Sequence, residues 1–373
     1  MNIEYLLSSI LKQGGGNTFY TFSNADGKRW IMPAKHMQTA MNLYQPSEIR
    51  GKGMKALFPY LHWADIVNKA VGAEKEQYEL MPELNGLLCQ LFSSNNVEFS
   101  IFCGTPCVHH KITMQISKGT HILGYAKFCD NNEIKHIFQR EKETLDYLGR
   151  KEVKSVPQCL YNGEWRNGIT IFVQTTTKTR HSSTDHRWGA RETAFIKELH
   201  EKTKLHIPFE KTDYYQDLCL LCEEVNNLQG FETGPIINGV SNVLNSYTNK
   251  EVNFSFYHAD FTPWNIYVEK GSLYAFDFEY AKRSYPPFLD YFHFFTQTAI
   301  FERHLEADGI WKLFQQHKND IKELLDGNQM DFAYLCYLLV IVAHYIKREN
   351  GVYSSSMIKY FKLWINLIAQ LLP

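Results

Sequence analysis

His258-Ala-Asp260-Phe-Thr-Pro-Trp-Asn265 and Phe276-Asp277-Phe278-Glu279, whose aspartate stands twelve positions after that asparagine, are the two stretches on which the reading of this chain turns. Their flanks give them a setting. Phe254, Phe256 and Tyr257 lead into the histidine with strand-like alternation. Ile266, Tyr267 and Val268 read as a second short strand, Lys270-Gly271-Ser272 breaks it, and Leu273 to Phe278 reads as a third. A loop bearing Asp260 and Asn265 therefore opens a hairpin whose return strand delivers Asp277 back beside them.

Three such polar groups match the needs of phosphoryl transfer, which asks a protein for positioning and charge neutralisation rather than covalent help. An aspartate near a substrate hydroxyl orients it and accepts its proton, while an amide oxygen and a second carboxylate hold a divalent cation against phosphates. Asp260, Asn265 and Asp277 take those roles in that order, and His258 is expected to brace the loop by hydrogen bonds. The bland counterpart is a set of ordinary turn residues, since Asp and Asn favour turns in any protein. The spacing, on a strand-loop-strand pattern, argues against it.

The stretch Tyr257 to Asn265 resembles the catalytic loop of the aminoglycoside phosphotransferase and choline kinase superfamily, the small-molecule branch of the protein-kinase-like fold. Phe276-Asp-Phe-Glu-Tyr-Ala281 is similar to that family's metal-binding segment, with Glu279 in support, and Asp290 to the structural aspartate that follows it. Ala259 departs from the family, where glycine is usual. The resemblance implies an α+β fold of two lobes: an antiparallel-sheet N-lobe and a mostly helical C-lobe. It also implies Mg2+ and ATP as cofactors, with GTP possible.

Upstream, Val97 to Phe102, Lys111 to Ser117 and Ile122 to Phe128 alternate like strands, the third carrying Lys127, a point charge suited to phosphates. From Ile134 to Leu148 an apolar stripe at helical spacing includes Glu141, which therefore points inward and needs a partner. Lys127 is the candidate, and Glu143, which faces elsewhere, ranks second. Between the first two strands, Cys103-Gly104-Thr-Pro-Cys-Val-His-His110 stands where a phosphate-covering loop belongs, with a single glycine. Gly168 to Thr175 reads as a strand entering a hinge, where backbone groups near Gln174 and Thr175 are expected to meet a purine. Thr193 to Lys202 reads as a helix, and its His200 is expected to be a core residue.

A protein kinase is excluded by detail: Ala259 replaces the Arg of His-Arg-Asp, Glu279 stands where Asp-Phe-Gly needs glycine, and no Ala-Pro-Glu precedes Asp290. The expected acceptor is a small-molecule alcohol. The 373 residues divide into an N-terminal extension (1–95), a kinase-like N-lobe (96–178) and a helical C-lobe (179–373). With 44% hydrophobic residues a large core is within reach. A net charge of −1 offers no overall footprint for nucleic acid. Eight scattered cysteines and no export signal point to a cytoplasmic protein with reduced thiols. Phe332 to Ile346 is apolar but short for a transmembrane segment and reads as a buried helix.

In the extension, Phe19 to Phe22 and Arg29 to Met32 flank a turn at Asn24 to Gly27, and helices are expected over 33–44 and 52–70. The aromatic run Tyr280, Tyr285, Phe288, Tyr291, Phe292 and Phe294 suits either an amine cage or a core. Only Glu223-Glu224 approaches the acidic cluster that a polycationic aminoglycoside calls for. The open alternatives are an aminoglycoside phosphotransferase, a nucleotide-binding protein without catalysis, and a metal-dependent hydrolase built on His258, Asp260, Asp277 and His293.

Overall fold

In the computed structural model the described residues are 3–46, 48–105, 110–228, 230–349, 351 and 353–372, with only the backbone described at 226 and 328. They form two compact units, residues 1–147 with 156–183, and residues 148–155 with 184–373. The architecture is α+β, with the large sheet in the first unit and most of the helix in the second.

The first unit opens with α1 (Ile3–Ile10), β1 (Leu11–Ser23), β2 (Arg29–Pro33), α2 (Met37–Ala40), α3 (Ile49–Leu61), α4 (Asp65–Val71), β3 (Glu74–Leu80) and α5 (Pro82–Leu91). It continues with β4 (Glu98–Phe102), β5 (Ile112–Lys118), β6 (His121–Cys129), α6 (Asn132–Arg150), β7 (Cys159–Glu164) and β8 (Thr170–Thr175). All eight strands join one antiparallel sheet in the order β3-β1-β2-β4-β5-β6-β8-β7. The seam between residues 1–95 and the later strands is β2 on β4, where Trp30 pairs with Phe102 and Ile31 with Ile101, the two rings stacked at 5.2 Å. One buried cluster runs beneath both parts, from Leu6, Phe19 and Tyr78 to Met114, Phe128 and Val173.

Two sequence expectations change here. The helix expected over 33–44 is only α2 followed by a single 3-10 turn, Met41–Leu43, because His36 takes a left-handed backbone that starts the helix late. The helix expected over 52–70 breaks into α3 and α4: Pro59 cannot donate to the helix ladder and the chain turns two residues later.

The second unit contains α7 (Ala190–Thr203), β9 (Leu205–Pro208), α8 (Asp213–Glu224), α9 (Gly234–Tyr247), β10 (Glu251–Tyr257), β11 (Ile266–Glu269), β12 (Ser272–Ala275), β13 (Lys282–Tyr285), α10 (Leu289–Phe301), α11 (Ala307–His317), α12 (Gly327–Glu349) and α13 (Ser355–Leu371). Strand β10 is the centre of a three-stranded sheet, β13-β10-β9, and β11 and β12 form a separate hairpin. The core gathers around α12, whose Tyr334 to Ala343 are all buried. That helix is long and apolar enough to cross a membrane by length and composition alone, but most of it is buried inside its own unit. The return strand β12 stops at Ala275 rather than reaching Phe278, because Asp277 has φ +66, a left-handed conformation that a strand cannot hold.

Candidate active site

In the first unit the chemistry is a buried ion pair. Lys127 lies on β6 opposite Phe172 of β8, and α6 packs on that sheet face through Phe138, whose ring meets Phe172 at 5.7 Å. The α6 stripe of Ile134, Ile137, Phe138, Leu145 and Leu148 is buried, and Glu141 within it is 0% exposed. Each apolar member contributes about 1.5–3 kcal/mol of burial. Together they offset the several kcal/mol that desolvating a carboxylate costs. The Lys127 ammonium donates to both Glu141 oxygens, at 2.9 and 2.7 Å. Glu143 instead accepts from Gln139 at the surface. Between the sequence's two candidate partners for Lys127, the helical phase selects Glu141.

Gln174 and Thr175 sit inside the β-ladder rather than beyond it. They pair with Tyr125 and Gly124 of β6, and the Thr175 N–H is donated to the Gln158 carbonyl at 2.9 Å. Gly124 is required there, since a Cβ would stand 2.2 Å from the Gln174 carbonyl oxygen. The Gln174 side chain is 3% exposed and its Oε1 meets no partner among the described residues. In the loop expected to cover phosphates, residues 106–109 lie outside the described set. Gly104, at φ +85, is pressed against the Lys111 carbonyl.

In the second unit the site grows from the end of β10. Tyr257 stacks on Tyr285 of β13 at 5.2 Å, and the chain then turns sharply. Ala259 takes φ +68, which explains why glycine suits this position. What holds an alanine there is Asp290, in the first turn of α10, whose carboxylate accepts from the N–H groups of His258 and Ala259 at 3.1 and 3.3 Å. Burial pushes Asp290 up to about 7, against the pull of those two bonds. Burial pushes His258 down to about 4, so its ring is neutral at physiological pH. Its two nitrogens are both used: Nε2–H donates to the Phe276 carbonyl at 3.1 Å and Nδ1 accepts from the Asp260 N–H at 3.3 Å. His258 thus ties the loop to the segment that carries Asp277.

Within that frame the Asn265 amide nitrogen donates to the Asp260 main-chain carbonyl at 3.0 Å and to Asp260 Oδ2 at 2.7 Å. Two acceptors on one side identify the nitrogen end, so the amide oxygen points the other way. The Asn265 main-chain carbonyl accepts from the Phe276 N–H at 3.0 Å, which ties the residue before Asp277 to the backbone of the loop. Asp277 and Glu279 are both half-buried. A side-chain amide oxygen and a carboxylate are the hard donors that Mg2+ takes. Asp260 itself is 30% exposed on its side chain.

His293, one turn along α10 from Asp290, places Nε2 3.3 Å from Asp260 Oδ1. The only signal for this contact in the sequence is its i+3 spacing from Asp290. Four of the six aromatics after Asp277, namely Tyr285, Tyr291, Phe292 and Phe294, are at most 2% exposed and belong to the core. Tyr280 is half-buried and lines, with Tyr285, Ala259 and His344, a crevice of about 10 Å³. His200, as expected, is occupied structurally, 3.0 Å from the Ser255 hydroxyl and against the Phe288 ring.

No protein-family model and no curated protein matches this chain. Among solved structures the chain is similar to a thermostable mutant of the aminoglycoside phosphotransferase APH(4)-Ia, at 12% identity and TM-score 0.47, over 77% of this chain and 98% of that one. It is similar also to a putative fructosamine-3-kinase from Haemophilus somnus 129PT, at 15% and 0.45 over 78% and 97%. A third is the amicoumacin kinase hAmiN in complex with AMP-PNP, Ca2+ and Ami, at 10% and 0.46 over 70% and 87%. Likeness of this extent transfers neither substrate nor reaction.

Proposed function

We propose that this chain is a Mg2+-dependent phosphotransferase that moves the γ-phosphoryl group of ATP to a hydroxyl of a small molecule. The observation that carries the reading is the Asn265 amide. By donating to both the main chain and the carboxylate of Asp260, it leaves its own oxygen turned away from Asp260 and holds the Asp260 carboxylate in place. Asp260 orients the acceptor hydroxyl and takes its proton. Asn265 and Asp277 would hold the metal, which when bound neutralises phosphate charge. Lys127, held by both Glu141 oxygens, supplies a cation for the nucleotide phosphates. Because the Thr175 N–H is spent on Gln158, the purine is assigned to the Thr175 carbonyl and the backbone of the residues that follow it.

The hydrolase reading loses support because both His258 nitrogens are committed to the backbone, leaving no lone pair for a metal. For the acceptor, a sugar or amino alcohol fits better than a polycation, since Glu223 is solvent-exposed and Glu224 accepts from Asn227.

The test is a thermal-shift series with ATP, GTP and a hydrolysis-resistant analogue, with and without Mg2+, on wild type and Asp277→Ala. A metal-dependent rise in Tm that the variant loses is the expected result, and it opens a screen of alcohols for phosphorylation. A nucleotide shift indifferent to Mg2+ and to Asp277 would overturn the assignment.

A further inference from the structure

The first unit carries a surface that the catalytic reading leaves unused. Among the described residues, large exposed hydrophobic side chains concentrate in α3, α4 and the turn between them: Ile49 at 89%, Leu57 at 60%, Tyr60 at 63%, Trp63 at 72% and Ile66 at 79%. On α3 the inward face is Met54 and Phe58. A second, exposed face presents Ile49, Gly53, Leu57 and Tyr60 at helical spacing, an apolar stripe facing water. Arg50 and Lys52, both exposed, lie on either flank of that stripe, and α3 contains no acidic residue.

Beside the stripe, Tyr60 and Lys55 form part of the wall of a cavity of about 340 Å³ that also exposes Gln38, Asn42, Arg180 and His181. Lys55 and Arg180 bring two cationic side chains to that wall. Trp63 donates its indole N–H to the Tyr60 carbonyl at 2.8 Å, so the ring needs no water to satisfy it. A cationic helix with apolar and aromatic side chains on its outer face, next to a cationic recess, has the composition of an element that lies on a lipid surface.

We infer that α3 and α4 form a peripheral docking surface for an anionic membrane, with Leu57, Tyr60, Trp63 and Ile66 entering the interface and Arg50, Lys52 and Lys55 meeting lipid phosphates. The charge selects the occupant. Against Arg50, Lys52, Lys55 and Lys69 the surface carries Glu48 before α3 and Asp65 at the start of α4, so a second copy would bring net positive charge against its own, whereas anionic lipid supplies the opposite charge over an extended plane.

The test is flotation of the full chain with vesicles of phosphatidylcholine alone and of equimolar phosphatidylcholine and phosphatidylglycerol, at low and high salt. The expected result is binding to the anionic vesicles, about tenfold weaker with phosphatidylcholine alone or at high salt. Leu57→Ser with Trp63→Ser should abolish it, and Arg50→Glu with Lys52→Glu should do the same, while circular dichroism and Tm stay those of the wild type. No flotation with anionic vesicles overturns the proposal, as does equal binding of the wild type and the Leu57→Ser, Trp63→Ser variant. A dimer in light scattering that the same variant dissolves, without flotation, would reassign the surface to self-association and likewise overturn it.

Discussion

The two halves of the candidate machinery are built on opposite principles. Lys127 and Glu141 are buried, 5% and 0% exposed, and each is held by the other's charge. The loop of Asp260, Asn265 and Asp277 is half-open and is held by backbone: two residues at positive φ, a neutral histidine, and peptide N–H groups captured by Asp290. The first arrangement fixes a charge whose partner cannot be removed without strain on the fold. The second fixes positions while leaving the Asp260 carboxylate partly solvated, as the role proposed for it requires. Mutations of the buried pair should therefore cost stability whatever they do to turnover, whereas at Asp260 the loss should fall on turnover.

The largest expected effect is on turnover. Asp260→Asn should lower kcat by about 10²- to 10⁴-fold once an acceptor is in hand. The nucleotide-dependent thermal shift should survive, and a variant that keeps wild-type kcat would remove Asp260 from the chemistry. Next comes Glu141→Ala, which strands a buried ammonium and should cost about 3–5 kcal/mol in urea unfolding. Glu143→Gln should stay within about 0.5 kcal/mol, and equal losses at 141 and 143 would contradict the pairing.

Protons probe the loop. Native His258, held near 4, is neutral where the unfolded imidazole near 6.5 is charged, so its contribution to stability grows as pH rises between those values and is lost as pH falls. Native Asp290, raised to about 7 from 3.8, binds a proton that the unfolded chain has lost, so its contribution runs the other way and fades as pH rises through that window. Asp290→Asn removes the second of these. Its unfolding free energy should therefore climb more steeply than that of the wild type between pH 4 and 6.5, by a few kcal/mol on the order of magnitude. Parallel curves would mean that Asp290 does not titrate there.

The smallest effect is at Ala259. The left-handed backbone costs an alanine about 1–2 kcal/mol. A glycine gives back about 0.4–1 kcal/mol of that relief as extra freedom in the unfolded chain. Ala259→Gly should thus leave Tm unchanged or slightly higher with turnover intact, and a marked loss would show that the β-carbon packs.

Local pattern was enough for much of this. Alternation and period located β4, β5, β6, α6, β10 and the β11–β12 hairpin, because burial on one face leaves a period of two or of 3.6 in the chain. The phase of α6 was enough to favour Glu141 over Glu143. What failed to show were features set by single backbone angles: the late start of α2 at His36, the break after Pro59, and the end of β12 before Asp277.

By itself, then, the sequence determined which chemical groups this protein has, in what order, and on which elements, since spacing and hydrophobic period are local properties. Only the tertiary structure decided that β2 joins β4 into one eight-stranded sheet, that His293 reaches Asp260, and that Thr175 spends its N–H on Gln158. Each of those is a contact between segments whose meeting is set by packing, and no local period encodes it.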